Sequence, residues 1–227
     1  MDGQTGHVTD RHLRTPRAAA IAGILFALLF ATSYWLIYQH APGNSADFST
    51  WLAAHAQTVT WGVSLLPFAG IAFLWFMGVV RDSIGFLEDQ FFSTLFLGSG
   101  FLYLAMTFMS AATARGALSI YAVNPEIATE AELFDMARAI SNAGMIVYAM
   151  RMAGMFAFVL GTIWIRTGLM PRWMVALTYA SALLLLFSIT YNRWMVMVFP
   201  CWVLLVSILL LLRNYSQGES GESAPGS

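Results

Sequence analysis

The sequence predicts an all-α membrane protein: a polytopic transmembrane helix bundle with about six spans and with both termini in the cytoplasm. Three observations predict this fold class, namely the composition, the length of the apolar runs and the distribution of arginine. Apolar residues occupy 59% of the 227 positions and charged residues only 10%, whereas an average soluble domain has roughly 45–50% and about 25%. So few charges cannot cover a water-facing surface, and we therefore expect the lipid bilayer to be the main partner of the chain.

The apolar runs predict where the chain crosses the bilayer. A spanning helix needs about 20 mostly apolar residues to cross about 30 Å of hydrocarbon. Six runs reach or approach this length, and the predicted spans are residues 18–38, 58–80, 92–113, 143–165, 173–190 and 194–212. Basic residues precede the first run, as they do in a secretory signal, but the run is too long for the apolar part of such a signal. We expect it to be retained as the first span.

The last two spans must be separated within one apolar stretch. Between Trp173 and Leu212 the only charged residue is Arg193, and the stretch contains 40 residues. A single helix of that length would measure about 60 Å, twice the thickness of the hydrocarbon. The sequence therefore predicts two spans with a tight turn at residues 191–193.

The arginines beside the spans predict the orientation, because cytoplasmic loops carry the positive excess. With six spans, seven arginines fall on one side of the membrane and three on the other. The seven are Arg11, Arg14, Arg17, Arg81, Arg166, Arg172 and Arg213, and the three are Arg115, Arg138 and Arg193. The side with seven, which also holds both ends of the chain, is predicted to be the cytoplasm.

The segments outside the spans differ in kind. Residues 1–17 and 214–227 are mostly polar and lack an apolar anchor, so we expect both to be disordered cytoplasmic termini. The longest connection contains an amphipathic helix near residues 129–142, because Thr129 and Glu132 form a capping box ahead of it. Apolar residues then recur at helical spacing. This helix is expected to lie at the outer surface or to run directly into the fourth span.

Arg151 is the one charged residue inside a predicted span and the main candidate for a functional role. A charge at that depth costs at least about 2.5 kcal/mol, so it is expected to face protein or water. Together with Tyr148 and Asn142 it forms the predicted ligand site, in an outward-facing cavity. The alternative is structural: the long side chain reaches the interface, or ties neighbouring helices together through backbone carbonyls and Tyr148.

No catalytic residue, cofactor or metal is predicted. All four histidines lie outside the predicted spans, so paired axial ligands for a membrane haem are not available, and the single Cys201 has no partner for a metal or redox centre. The balance of 11 basic and 12 acidic residues has no basic excess for nucleic acid. Glu88 and Asp89 stand at the start of the third span, where the helix dipole favours acidic side chains without any catalytic role.

Small residues recur every fourth position in two of the spans. They are Ala19, Gly23, Ala27 and Ala31 in the first, and Ala149, Ala153, Ala157 and Gly161 in the fourth. Small residues let helix backbones approach closely in lipid, where dispersion drives association. The pattern predicts tight packing of these two helices.

Three stretches carry a resemblance to a known group of proteins. They are PFAGIAFLWFMGVVRD (67–82), EDQFFSTLFLGSGFL (88–102) and TGLMPRW (167–173). Together they resemble a group of uncharacterised multi-pass membrane proteins of actinobacterial type, which has no assigned activity. The resemblance implies the six-span topology and a bacterial plasma membrane, and it implies no site residues.

Three classes of function are compatible with these observations. The first is a non-catalytic membrane component or accessory subunit, which packs against a membrane partner or a second copy of itself. The second is a small-solute or ion transporter or channel that uses Arg151. The third, a lipid-modifying enzyme, requires Glu88 and Asp89 to meet other polar groups in a pocket. The position of Arg151 discriminates between the first two classes, because transport requires it to face a cavity.

Overall fold

The computed structural model describes residues 6–39, 48–84, 90–123, 131–187 and 193–222, and within these ranges all regular structure is helical. Seven α-helices follow in chain order: α1 Gly6–Tyr38, α2 Phe48–Ile84, α3 Gln90–Val123, α4 Ala131–Asn142, α5 Met150–Thr167, α6 Arg172–Phe187 and α7 Val198–Glu222. A π-helical segment, Ala143–Ala149, joins α4 to α5 without a break, and a 3-10 turn, Arg193–Met197, precedes α7.

Five described helical stretches are long and apolar enough to cross a membrane: Ala18–Tyr38, Ala54–Asp82, Gln90–Ile120, Asp135–Thr167 and Trp194–Arg213. The sixth apolar helix, α6, has 16 residues and measures about 24 Å, less than the roughly 30 Å of hydrocarbon. Large apolar side chains cover the outer surface of the bundle, among them Ile21, Trp75 and Phe187. The chain is therefore a helical protein with five to six segments apolar enough to span a membrane.

The apolar stretch 173–212 forms two helices, α6 and α7, and not one over-long helix. Residues 191 and 192 of the predicted turn lie outside the described residues. At the other end of α6, α5 stops at Thr167 because Gly168 adopts a left-handed conformation with φ of 65°, which caps the helix and releases the chain into a short link.

Neighbouring helices run antiparallel, as the order of their contacts demonstrates. Going forward along α1, Gly23 faces Phe76 and then Ser33 bonds to Gly62, so the contacts run backward along α2. The contacts between α2 and α3, α3 and α5, α5 and α6, α7 and α1, and α7 and α6 also run in opposite directions along the two helices, so each of these pairs is antiparallel. As a result, α1 begins and α7 ends at the same end of the bundle. We call this the Arg213 end and the opposite one the Tyr38 end.

The centre of the bundle is a cluster of five aromatic rings, each from a different helix. Phe73 of α2 lies in the middle, with ring centroids 5.1 Å from Phe26, 5.2 Å from Tyr103, 5.3 Å from Phe156 and 5.6 Å from Phe199. All five side chains are fully buried. Tilted and edge-on ring pairs of this kind are stabilising beyond their buried area, and here they hold α1, α2, α3, α5 and α7 together.

The two predicted small-residue ridges lie mostly inside the bundle. A Cβ added to Gly23 would collide with the Ser207 hydroxyl on α7 and with Phe76 on α2, so α1 passes both helices closely. In α5 a Cβ added to Gly161 would lie 3.3 Å from Thr178 on α6. Of the eight residues in the two ridges, seven are buried and Ala31 is exposed. These ridges therefore join helices within one chain and are not surfaces for a partner.

Two terminal predictions require correction. The sequence predicted disorder over residues 1–17 and 214–227, whereas α1 is helical from Gly6 and α7 remains helical to Glu222. Starting a helix is costly but extending one is not, since each added residue contributes a hydrogen bond. A stable spanning helix can therefore extend into polar sequence without an apolar anchor. Residues 1–5 and 223–227 lie outside the described part of the chain.

Candidate functional site

A partly enclosed cavity of about 120 Å³ lies at the Tyr38 end, between α1, α2, α3 and α4. Its lining comes from α1 (Phe30, Ser33, Tyr34, Ile37, Tyr38), α2 (Trp51, Val59, Val63, Leu66), α3 (Ser110, Ala111, Ala114, Ala117, Leu118), and α4 with the π-helical segment (Ala137, Arg138, Ser141, Asn142, Met145). The cavity requires all four helices, because each of its walls is formed by a different helix from a different part of the chain.

The cavity lies where two helices, α2 and α3, extend beyond the thickness of a bilayer. α2 has 37 residues and α3 has 34, which correspond to about 55 Å and about 51 Å. Both helices extend past the predicted spans at the Tyr38 end, and α4 stands beside them. Phe30 and Leu66 lie within the predicted spans, whereas Ala117 and Arg138 lie beyond them. The cavity thus extends from within the predicted membrane spans to beyond their ends at the Tyr38 end.

The lining of the cavity combines apolar and polar groups. The part formed by Phe30, Val63 and Leu66 is apolar, while α4 contributes Arg138, Ser141 and Asn142. Arg138 is the only charged side chain among the described lining residues. The cavity therefore offers apolar surface along its length, with one positive charge and hydrogen-bonding groups on the α4 wall.

Hydrogen bonds between helices maintain the walls. The Ser33 hydroxyl donates to the Gly62 carbonyl at 2.7 Å and joins α1 to α2. The Tyr38 hydroxyl donates to Oδ1 of Asn142 at 3.3 Å and joins α1 to the end of α4. Because each bond joins two different helices, the polar side of the cavity is held by the fold and does not depend on a bound molecule.

The π-helical segment Ala143–Ala149 continues from this wall toward α5. In a π-helix each N–H bonds to the carbonyl five residues earlier, so the hydrogen-bond pattern must change where the segment meets an α-helix. The Val147 carbonyl lies in the segment and accepts a hydrogen bond of 2.8 Å from Nη1 of Arg151. A carbonyl oxygen has two lone pairs, so it can accept this side-chain donor in addition to a backbone one.

Of the three residues predicted to form one ligand site, only Asn142 is among those that line this cavity. Tyr148 is 58% exposed, on the outer surface of the bundle. Arg151 is half-buried, bonds to the preceding turn of its own helix and is not among the residues that line this cavity.

Sequence reasoning missed one charged residue of the cavity wall. Arg138 was counted only as an arginine outside the spans, yet it lies in the cavity wall. A signal for it was present: Arg138, Ser141 and Asn142 are spaced i, i+3, i+4, which places them on one face of a helix. A helix with polar residues along one face that continues directly into an apolar span is therefore the sequence pattern that predicts this polar wall of the cavity.

The other polar groups considered from sequence do not form a second site within the described residues. Glu88, Asp89 and His40 lie outside them. His55 stacks on the ring of Trp51 with centroids 5.3 Å apart, and its Nδ1 lies 2.9 Å from the Trp51 carbonyl. In the part of the chain that the structure describes, no three His, Cys, Asp or Glu side chains are grouped so as to hold a metal ion.

Comparison of the chain with protein-family models, with curated proteins and with solved structures found no match. The resemblance carried by residues 67–82, 88–102 and 167–173 therefore remains a prediction from the sequence.

Proposed function

We propose that this chain is a non-catalytic membrane protein that binds a small amphiphilic molecule in the cavity at the Tyr38 end. The observation that carries the proposal is the cavity itself, with its apolar part beside Phe30 and Leu66 and its polar wall on α4. Its described lining supplies apolar surface, hydrogen-bonding groups and one guanidinium. These are the groups that orient and hold a ligand in a small-molecule site.

We further propose that the chain crosses a bacterial plasma membrane six times, with both termini in the cytoplasm. Arg166, Arg172 and Arg213 all lie at the Arg213 end, in agreement with the positive excess of cytoplasmic loops. Two of them contact neighbouring segments there: the Arg166 guanidinium lies 4.6 Å from the centre of the Phe92 ring, and Arg213 donates to the Leu169 carbonyl. In this orientation the cavity faces the outside of the cell.

Exposed tryptophans support the same placement. Trp35 of α1, Trp61 of α2 and Trp194 of the 3-10 turn all lie near the Tyr38 end, and each is more than half exposed. Tryptophan concentrates where a membrane meets water, because its ring is apolar and its N–H is polar. In the proposed orientation, the belt formed by these three residues would lie at the outer boundary of the membrane, at about the depth of the cavity.

A cavity-filling substitution tests the binding function. Ala114→Trp on α3 places a large ring into the cavity, whereas Ala112→Trp on the same helix places one on the exposed surface and is the matched control. Native mass spectrometry of the detergent-purified proteins is expected to find a bound small molecule on the wild type and on Ala112→Trp, and to find it absent from Ala114→Trp. Equal occupancy in all three proteins, or no bound molecule in any of them, would overturn the proposal.

A second candidate function is transport, and the π-helical segment favours it. The segment borders the cavity through Met145, and π-helical turns within α-helices occur frequently at functional sites. The version of this hypothesis that uses Arg151 has less support, since that side chain bonds to the Val147 carbonyl and lies outside the cavity lining. A transporter on this fold would bind its substrate in the cavity that the segment borders.

Labelling of the cavity from each side of the membrane separates transport from binding alone. A single cysteine at Leu66, in the apolar part of the cavity, is introduced into a Cys201→Ser background and probed in sealed vesicles with a membrane-impermeant maleimide. Labelling from both sides would indicate alternating access and favour transport. Labelling from the Tyr38 side alone would favour the binding function.

An enzyme that uses Glu88 and Asp89 is not proposed, because those residues lie outside the described part of the chain.

A further inference from the structure

We propose that an anionic phospholipid binds at the Arg213 end of the bundle, with its phosphate held by Arg166, Arg172 and Arg213. We call these three residues the arginine cluster. The site lies at the opposite end from the cavity and does not depend on the function proposed for that cavity. The position of the arginines, the groups that they contact and the apolar surface beside them each support it.

The arginine cluster surrounds one short link between two helices. Residues 168–171 join α5 to α6, Arg166 lies in the last turn of α5, and Arg172 is the first residue of α6. Arg213 reaches this link from α7 and donates to the Leu169 carbonyl. Leu169 is three residues from each of the other two arginines. Three helices therefore bring three positive charges to the same link.

The described contacts of these arginines are with uncharged groups. The Arg166 guanidinium lies over the Phe92 ring, and Arg213 bonds to a backbone carbonyl. Arg172 is exposed and forms no hydrogen bond, ion pair or ring contact in the part of the chain that the structure describes. Asp82, the one acidic residue whose side chain is described at this end, forms no ion pair with them. The positive charge of the cluster is therefore available to an anion.

The cluster also has the donors that a phosphate requires. A guanidinium carries five N–H donors in one plane, which suits it to pairs of phosphate oxygens. Arg213 uses Nη1 for both of its described contacts, so Nε and Nη2 can donate to a ligand. In addition, α6 begins at Arg172 without an acidic residue in its first turn. The N-terminus of a helix carries a partial positive charge, which favours an anion at this position.

Apolar surface beside the arginines favours a lipid over a soluble anion. Each arginine stands one residue beyond the end of a predicted span, which places all three at the level of lipid headgroups. The adjacent residue within each span is a large apolar side chain that is more than half exposed, namely Ile165, Trp173 and Leu212. Acyl chains can contact these side chains while the phosphate contacts the arginines. Basic pockets between transmembrane helices bind acidic headgroups in this way.

The experiment compares two lipids that share their acyl chains and differ in headgroup charge. The full-length protein in mild detergent is titrated with dioleoyl phosphatidylglycerol, and separately with dioleoyl phosphatidylcholine, and native mass spectrometry measures each Kd. We expect the anionic lipid to bind about ten- to one-hundredfold more tightly, from the contribution of about three surface arginines. Equal Kd values for the two lipids would overturn the proposal.

Substitutions assign the preference to the arginine cluster. Arg172→Gln removes a charge without removing a described contact, and we expect it to raise the Kd of phosphatidylglycerol about fivefold. Arg172→Lys, which retains the charge, should bind nearly as tightly as the wild type. The triple variant Arg166→Gln/Arg172→Gln/Arg213→Gln should bind both lipids equally. Arg115→Gln is the matched control, because it removes an exposed arginine at the Tyr38 end, and its Kd should equal that of the wild type. An equal loss in Arg115→Gln and Arg172→Gln would overturn the site.

Competition separates a lipid from a soluble phosphate ester. Glycerophosphoglycerol is the headgroup of this lipid without acyl chains, and we expect it not to displace the bound lipid at concentrations at which dihexanoyl phosphatidylglycerol does. Equal displacement by the two compounds would show that acyl chains do not contribute and would overturn the lipid assignment. Ala114→Trp, which fills the cavity at the other end, should leave the Kd of phosphatidylglycerol unchanged. Failure of this site and failure of the proposed binding function are therefore distinguishable.

Discussion

Ser110 on α3 and Ser141 on α4 hydrogen-bond to each other's backbone. The Ser110 hydroxyl donates to the Ser141 carbonyl at 2.7 Å, the Ser141 hydroxyl donates to the Ser110 carbonyl at 3.0 Å, and the two hydroxyl oxygens lie 3.0 Å apart. Both residues also line the cavity. This reciprocal pair fixes the distance between two walls of the proposed binding site, just before α4 becomes π-helical.

Removal of either hydroxyl should weaken the contact between α3 and α4. For Ser110→Ala we expect the free energy of unfolding to fall by about 1 kcal/mol, the usual net contribution of such a bond. The double variant Ser110→Ala/Ser141→Ala should cost about the sum of the two single variants, because each hydroxyl donates to a backbone carbonyl that the other substitution leaves in place. Unfolding in mixed micelles measures these values. Ser119→Ala is the control, since its exposed hydroxyl bonds within its own helix to Arg115, and an equal effect there would contradict the prediction.

Gly23→Ala should destabilise the bundle. The added Cβ collides with the Ser207 hydroxyl and lies 2.9 Å from a ring carbon of Phe76, and overpacking of this kind costs about 1–3 kcal/mol. Gly78→Ala is the matched control on α2, because no atom lies within 4 Å of its Cβ position, and it should be neutral or slightly stabilising. Thermal unfolding in detergent compares the two, and equal midpoints would show that α1 does not pass α7 as closely as described.

Tyr103→Phe should leave the bundle as stable as the wild type, or more stable. The Tyr103 hydroxyl is buried in the aromatic cluster and has no hydrogen-bond partner among the described residues. A buried polar group without a partner is destabilising by about 1–3 kcal/mol, and phenylalanine retains the ring contacts with Phe73 and Phe199. A loss of about 1 kcal/mol or more in the unfolding free energy would instead show that a water or another group bonds to this hydroxyl.

A reporter fused after Arg213 should be in the cytoplasm, and one inserted in the segment 40–47 should be outside. The alternating direction of the helices sends α7 to the same end at which α1 begins, and the arginines predict that this end is cytoplasmic. Paired fusions that are active only in the cytoplasm or only outside provide the measurement. A reporter after Arg213 that is active outside would contradict the six-span topology.

The sequence predicted the apolar helices well because the signal for a spanning helix is local. A run such as residues 194–212 needs only its own composition to indicate that it is helical and suited to lipid. The ends of the helices were predicted less well, as the extension of α1 to Gly6 demonstrates. The position of a helix end depends on how far a formed helix continues into the adjacent sequence and on contacts with neighbouring segments. The composition of the apolar run contains no information about either.

Composition and the length of the apolar runs were enough to predict a helical chain, rich in apolar segments suited to lipid and poor in charge. Which polar residues share a site depended on how the helices pack. Arg138, Tyr38 and Ser110 line one cavity, whereas Arg151 bonds to the Val147 carbonyl one turn earlier. The physical reason is that four helices from distant parts of the chain form the cavity. Their facing surfaces are set by close packing at positions such as Gly23 and by hydrogen bonds between helices, which no single segment reveals.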